Sequence, residues 1–287
     1  MKSIATINFK GGVGKTTITW LMAKYMADFM GKKVLVVDTD AQMSLTLAVE
    51  MQDSGNLPKE FNDWYEYQHK AKGKTLLDAL DKYDNQNKGH FDFPIDNGVI
   101  YKKSENLYFI PSCTDLYWLE LDVIDKDKVK YFIHALLGKI ANNKNFAFDY
   151  VFFDCPPNFT ALSYSVLSCA NLILIPVNPD IFAARGVGMM VDGLRYRIEN
   201  WPKSKMAVFM NKAKPRLENM TVESSRFWAD TKRTVNEKSR EFPDLVALKS
   251  FIPERVVIKR AIPSKNFPKE FEQSFKELAQ EIEAILS

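Results

Sequence analysis

Residues Phe9 to Thr17 read FKGGVGKTT, and this stretch decides the fold. An apolar, β-rich run from Ser3 to Phe9 leads into it, and ITWLMAKYMADFM follows with helical spacing and no Gly or Pro before Gly31. Strand, glycine-rich loop and helix in that order form a phosphate-binding loop. Gly11, Gly12 and Gly14 let the backbone curl, so that successive N–H groups and the positive end of the helix surround a polyphosphate. Lys15 then reaches the β- and γ-phosphates, Thr16 presents its hydroxyl to Mg²⁺, and Thr17 faces the α-phosphate. With Val13 inside the loop, Gly11 to Thr17 is the expected nucleotide-binding stretch.

Outward from the loop, short β-rich runs recur between longer helical patterns. They are Lys33–Val37, Leu107–Ile110, Tyr150–Phe153, Leu172–Val177, Ala207–Met210 and Leu245–Ile252. VLVV, YVFF and LILIPV do not alternate polar with apolar, as expected of strands covered on both faces. The expectation is an α/β fold with a doubly wound, mostly parallel sheet, in one domain over 1–287. The interval 51–100 breaks the rhythm with turn-rich, charged stretches and reads as an insertion with short helices near Trp64 and Leu76. With 287 residues, 46% of them hydrophobic, the chain can build a real core. Three cysteines with no CxxC pair fit a reducing compartment, and three dispersed histidines give no zinc spacing. The start has no signal-peptide pattern and no apolar run reaches membrane-span length, so a cytoplasmic protein is expected.

Two acidic motifs end predicted strands, where open α/β sheets bind ligands. In VLVVDTDAQ, Asp38 and Asp40 stand two apart, on one side of an extended chain. In DYVFFDCPPNF, Asp154 ends a buried strand and would hold Mg²⁺ through water, while Pro156 and Pro157 stop the ladder. Capping of a following helix is the competing reading for each aspartate. Cys155 has no cysteine partners at cluster spacing and reads as a buried thiol.

The loop carries a second lysine, Lys10, ahead of its glycines, and KGGVGKTT resembles the deviant Walker motif of the ParA/MinD superfamily of P-loop NTPases. The resemblance implies an ATP-sandwich homodimer in which Lys10 reaches the partner subunit's nucleotide. VDTDAQ is similar to the family's DxDxQ element, which implies that Asp38 orients the attacking water and that Asp40 belongs to a switch region near Mg²⁺; Ala41 replaces the usual proline. DCPP resembles the DxPP switch. VFMNKAKPR looks like the segment whose Asn, here Asn211, faces adenine, and FIPERVVIKRAI like the element that closes over the base, implicating Pro253. Outside 51–100 the likeness runs through most of the chain.

The family implies a slow, switch-like Mg²⁺-ATPase. The net charge of +3 hides an uneven distribution. Residues 180–265 hold 18 Lys and Arg against 10 Asp and Glu, and the remainder of the chain 21 against 26. Arg185, Arg195, Arg197, Lys232, Arg233, Lys259 and Arg260 are the candidate contacts to nonspecific double-stranded DNA, which needs phosphate contacts and no base code. A solvated basic face is the plainer alternative. The terminal stripe Phe271, Phe275, Leu278, Ile282 and Ile285 is flanked mainly by Glu, the wrong polarity for a membrane-surface helix, and reads as a helix docked on the core. The expected function is nucleoid-associated positioning of a plasmid, chromosome or carboxysome-like body with a ParB-like or McdB-like adaptor. A MinD-like membrane regulator and a metabolic P-loop enzyme of the dethiobiotin-synthetase or cobyrinate-amidotransferase type are the alternatives.

Overall fold

The computed structural model describes residues 1–50, 62–63, 66, 74–84, 90–91, 99–118, 126–198, 204–216, 219–255, 262, 264 and 266–287. Its centre is an eight-stranded sheet. The strands are β1 (Lys2–Thr6), β2 (Val34–Asp38), β5 (Tyr101–Lys102), β6 (Leu107–Ile110), β7 (Tyr150–Asp154), β8 (Leu172–Val177), β9 (Lys205–Ala213) and β12 (Leu245–Pro253). Two short antiparallel pairs lie apart from it, β3 (Tyr83–Asp84) with β4 (His90–Phe91) and β10 (Pro215–Arg216) with β11 (Asn219–Met220). Across the sheet the order is β12-β9-β8-β1-β7-β2-β6-β5, parallel throughout except for the edge strand β5.

The helices are α1 (Lys15–Met30), α2 (Ser44–Glu50), α3 (Leu76–Asp81), α4 (Lys126–Asn142), α5 (Ala161–Cys169), α6 (Ala183–Arg197), α7 (Val222–Lys238) and α8 (Glu272–Leu286). Along β2, Val34 and Val36 pack into one apolar cluster with α1, α2 and α8, whereas Leu35 and Val37 pack into the opposite one with α3 to α7. Phe152 and Phe153 of β7 divide in the same way. The central strands β2, β7 and β8 are nearly unbroken apolar runs because both faces are covered, whereas β12 at the edge exposes Val246 and Lys249.

The chain leaves β1 through α1 on one face and leaves β7 through α5 on the other. β1 and β7 are neighbours, so a crevice opens at their carboxyl ends, the place where such sheets bind ligands. The strand expected over Ser3–Phe9 ends at Thr6, leaving Ile7 to Gly14 as loop. The helix expected near Leu76 is α3; Trp64 and most of 51–100 lie outside the described residues, as do Lys259 and Arg260. The terminal stripe is buried as expected: Phe271, Phe275, Leu278 and Ile282 are wholly covered, and α8 packs against α1 and β12. Among the described residues no helix is long and apolar enough to cross a membrane.

Candidate functional site

The loop after β1 curls as the glycines require. Gly12 and Gly14 have φ of 73° and 88°, the left-handed region that a side chain disfavours, and Gly14 starts α1. A Cβ on Gly14 would lie 2.5 Å from Asn211 Nδ2, so this glycine is also required by a close approach. Gly11 and Gly12 are exposed, Val13 is buried in the loop's underside, and Thr16 and Thr17 are half-buried in the first turn of α1. Lys15 is buried at the same turn; burial lowers its pKa, and the carboxylates of Asp154 and Asp40 oppose that shift.

Asp38 and Asp154 end adjacent strands and are register partners across β2 and β7. Asp38 is wholly buried: Oδ1 accepts the Asp40 N–H at 3.1 Å, and Oδ2 accepts the Thr46 N–H at 2.9 Å and the Thr46 hydroxyl at 2.6 Å. Burial pushes its carboxyl up to about 7, and these hydrogen bonds hold it from rising further. In this arrangement Asp38 ties the 39–43 loop to the first turn of α2 at Thr46 rather than facing an open cavity. Ser112 ties the same loop down, donating to the Asp40 carbonyl at 2.8 Å. Asp40 is half-buried, raised by burial, and accepts the Gln42 N–H at 2.9 Å. A cavity of about 250 Å³ separates this loop from Tyr117 and the Pro156–Thr160 loop.

Asp154 is raised well above the ordinary aspartate range, first by burial and then by the facing Asp38, while a hydrogen bond from Thr16 opposes the shift. Its Oδ1 is buried with no hydrogen-bond partner. An orphaned carboxylate oxygen beside a threonine hydroxyl fits a hard divalent cation. Mg²⁺ in a nucleotide site takes one or two protein oxygens and fills its shell with phosphate and water. Thr16 and Asp154 would hold it, and bound there it would neutralise charge on the phosphates.

Lys10 is exposed, and its ammonium lies 2.6 Å from Asp180 Oδ2 in its own chain and 5.9 Å from the centre of the Phe182 ring. Asn211 is buried at the end of β9; its Nδ2 donates to the Val13 carbonyl at 2.7 Å and its Oδ1 has no partner. Pro253 is the β12 register partner of Ala213, two residues past Asn211. Thr46, Asp180 and Lys212, whose ammonium donates to the Gly12 carbonyl, were not among the expected site residues. Asp180 stood in view in the NPD loop and Lys212 next to Asn211, but no sequence pattern joins them to a loop so far away.

The basic candidates do not all remain free. Arg195 pairs with Glu241 at 3.1 Å and lies over Phe242, and Arg233 pairs with Asp230 at 3.4 Å. Lys232 lies over the Trp228 ring, while Arg185 and Arg197 are exposed with no ion pair among the described residues. Acids on α6, α7 and the turn after α7 thus neutralise part of the excess positive charge of this segment.

Residues 1–207 match the model of the AAA domain family AAA_31. The chain belongs to this family. Within it the chain is ParA-like: the chromosome-partitioning ATPase Soj of Treponema pallidum is 25% identical over 68% of this chain and 64% of its own length. A ParA family protein of Mycoplasma pneumoniae is 24% identical over 97% of this chain and 96% of its own. The chain therefore spans under two thirds of the first relative and nearly all of the second. Among solved structures, the ATP complex of Cyanothece McdA superposes with a TM-score of 0.72 at 18% identity, covering 100% of this chain and 96% of that one. pNOB8 ParA bound to nonspecific DNA gives 0.68 at 20%, covering 99% and 98%. A cobyrinic acid a,c-diamide synthase of Mycobacterium smegmatis with ADP and magnesium gives 0.65 at 20%, covering 98% and 93%. At these identities the likeness establishes the shared P-loop NTPase fold.

Proposed function

We propose that the protein is a Mg²⁺-dependent ATPase whose ATP-bound form is a homodimer that binds nonspecific DNA and positions a cargo through an adaptor that stimulates hydrolysis. The observation that carries this reading is the convergence, at one crevice, of the glycine loop, Lys15, Thr16 and the Asp38–Asp154 pair, with Lys10 exposed at its rim. Gly11 to Thr17 would cradle the phosphates, with Lys15 neutralising charge as the γ-phosphoryl group leaves. Asn211 would meet adenine through its unpartnered oxygen and Pro253 would close over the base. Asp38 would orient water once the loop it secures rearranges, so that hydrolysis is slow and reports the state of the 39–43 and 156–160 loops.

Lys10 supports dimerisation. In the free chain it is tied to Asp180, and ATP would draw it across to the partner subunit's nucleotide. Phe182 lies near Lys10, and it, Ile181 and Met189 are exposed by 62%, 70% and 63%, apolar side chains that a second copy would cover. The relative pNOB8 ParA binds nonspecific DNA; Arg185, Arg197 and Lys232 are the residues of this chain best placed for such contacts, with Arg195 and Arg233 joining after exchanging their acids for phosphate. The fold of the cobyrinic acid a,c-diamide synthase serves a metabolic reaction, a reading that leaves the exposed Lys10 without a task. Sedimentation of wild type and Lys10→Ala with ATP, ADP and no nucleotide tests the proposal. A dimer in ATP alone, lost in the variant, is expected; a monomer under all conditions refutes it.

A further inference from the structure

We propose that Asn211 and Lys212 form a strap that presets the phosphate loop, and that Lys212 is the positioning residue that retains nucleotide. The inference rests on the reading of this loop as an ATP site. Successive side chains of a strand point to opposite faces. Lys212 breaks that alternation with φ of 54°, a left-handed conformation that non-glycine residues rarely hold without a reason. The consequence is that two adjacent side chains at the end of β9 reach the same loop. Asn211 Nδ2 takes the Val13 carbonyl at 2.7 Å and Lys212 Nζ takes the Gly12 carbonyl at 2.5 Å. The next loop residue is shaped against the same pair: a Cβ on Gly14 would meet Asn211 Nδ2 at 2.5 Å and Lys212 Cε at 3.8 Å. The far side of the strap is anchored as well, since the Glu254 N–H donates to the Ala213 carbonyl at 2.8 Å.

The peptide group explains what the strap does. In a planar trans peptide the C=O and the following N–H point in opposite directions. Holding the Gly12 and Val13 carbonyls toward β9 therefore turns the N–H groups of Val13 and Gly14 the other way, into the concavity of the loop. Those are two of the donors that a polyphosphate needs, and the strap orders them before ligand arrives. Preorganisation of this kind lowers the cost of binding and slows release.

The test is stopped-flow release of mant-ADP in Mg²⁺ buffer from the full chain, as wild type, Lys212→Met, Lys212→Arg and Lys212→Gly, with steady-state ATPase kinetics and thermal melts alongside. Lys212→Met should release the probe at least about tenfold faster and lose kcat/KM through KM rather than kcat. Lys212→Arg should recover most of the retention. Lys212→Gly suits the left-handed backbone yet lacks the amine, and it should leak as Lys212→Met does. Release within twofold of wild type in a folded Lys212→Met, or wild-type retention in Lys212→Gly, overturns the proposal. Failure of wild type to bind mant-ADP at all overturns the ATP reading beneath it.

Discussion

The three loop glycines should not tolerate alanine equally, and the structure ranks them. Gly11 does not have positive φ, and a Cβ there meets nothing within 4 Å. Gly11→Ala should change stability by no more than about 0.5 kcal/mol, as at other open surface positions. Gly12 has equal space but φ of 73°. Gly12→Ala should therefore cost about 1–2 kcal/mol, the penalty of a left-handed L-residue. Gly14 combines φ of 88° with the 2.5 Å approach to Asn211. Displacing that side chain sacrifices its bond to the Val13 carbonyl, worth about 1 kcal/mol, so Gly14→Ala should cost about 2–3 kcal/mol. Urea unfolding of the nucleotide-free protein, with the denaturant slope held as a check on two-state behaviour, measures all three. Equal losses at the three positions, or a milder loss at Gly14 than at Gly12, would refute the reasoning.

Stability of the nucleotide-free protein should fall as pH rises between about 4 and 7. An unfolded aspartate releases its proton near the bottom of that window, whereas Asp38 keeps its own until the top, so native protein binds more protons throughout. Melting curves should show this slope reduced in Asp38→Asn; an unchanged slope would count against the buried-acid assignment. Asp180→Ala removes an exposed ion pair worth under about 1 kcal/mol and frees Lys10. Sedimentation with ATP should then detect the dimer at lower protein concentration, and a weakened dimer would contradict the tether. Phe275→Ala should cost about 3–5 kcal/mol in urea unfolding, because the ring is wholly buried in the docked tail helix. A near-neutral result would mean that the helix is not packed there.

Seven strands of the sheet are legible in the sequence as short β-rich runs, most clearly β2, β7 and β8, whose apolar stretches are covered on both faces, a pattern independent of partners. The edge strand β5 is not, since two residues, Tyr101 and Lys102, carry no period. The phosphate loop is legible because its chemistry is local: three glycines, a lysine and two threonines in one turn. What holds the site in shape is not local. Lys10 meets Asp180, and Lys212 meets Gly12, across most of the chain, and no spacing rule joins such pairs. Asp38 can be recognised as a strand-end acid, yet its burial under Thr46 depends on how α2 folds back. The basic segment is visible as a count of charges; only the packing of α6 on α7 shows that Lys238 is matched to Asp192 at 2.7 Å and Arg195 to Glu241.

Central to the proposed function is that ATP, and not ADP, should confer affinity for DNA of any sequence. Fluorescence anisotropy of a labelled random-sequence duplex, titrated with wild type and Asp38→Ala in ATP, ADP and no nucleotide, measures it directly. Binding is expected with ATP only, weakening steeply with salt as phosphate contacts require, and persisting in Asp38→Ala while hydrolysis is lost. Equal affinity in all three nucleotide conditions would contradict it.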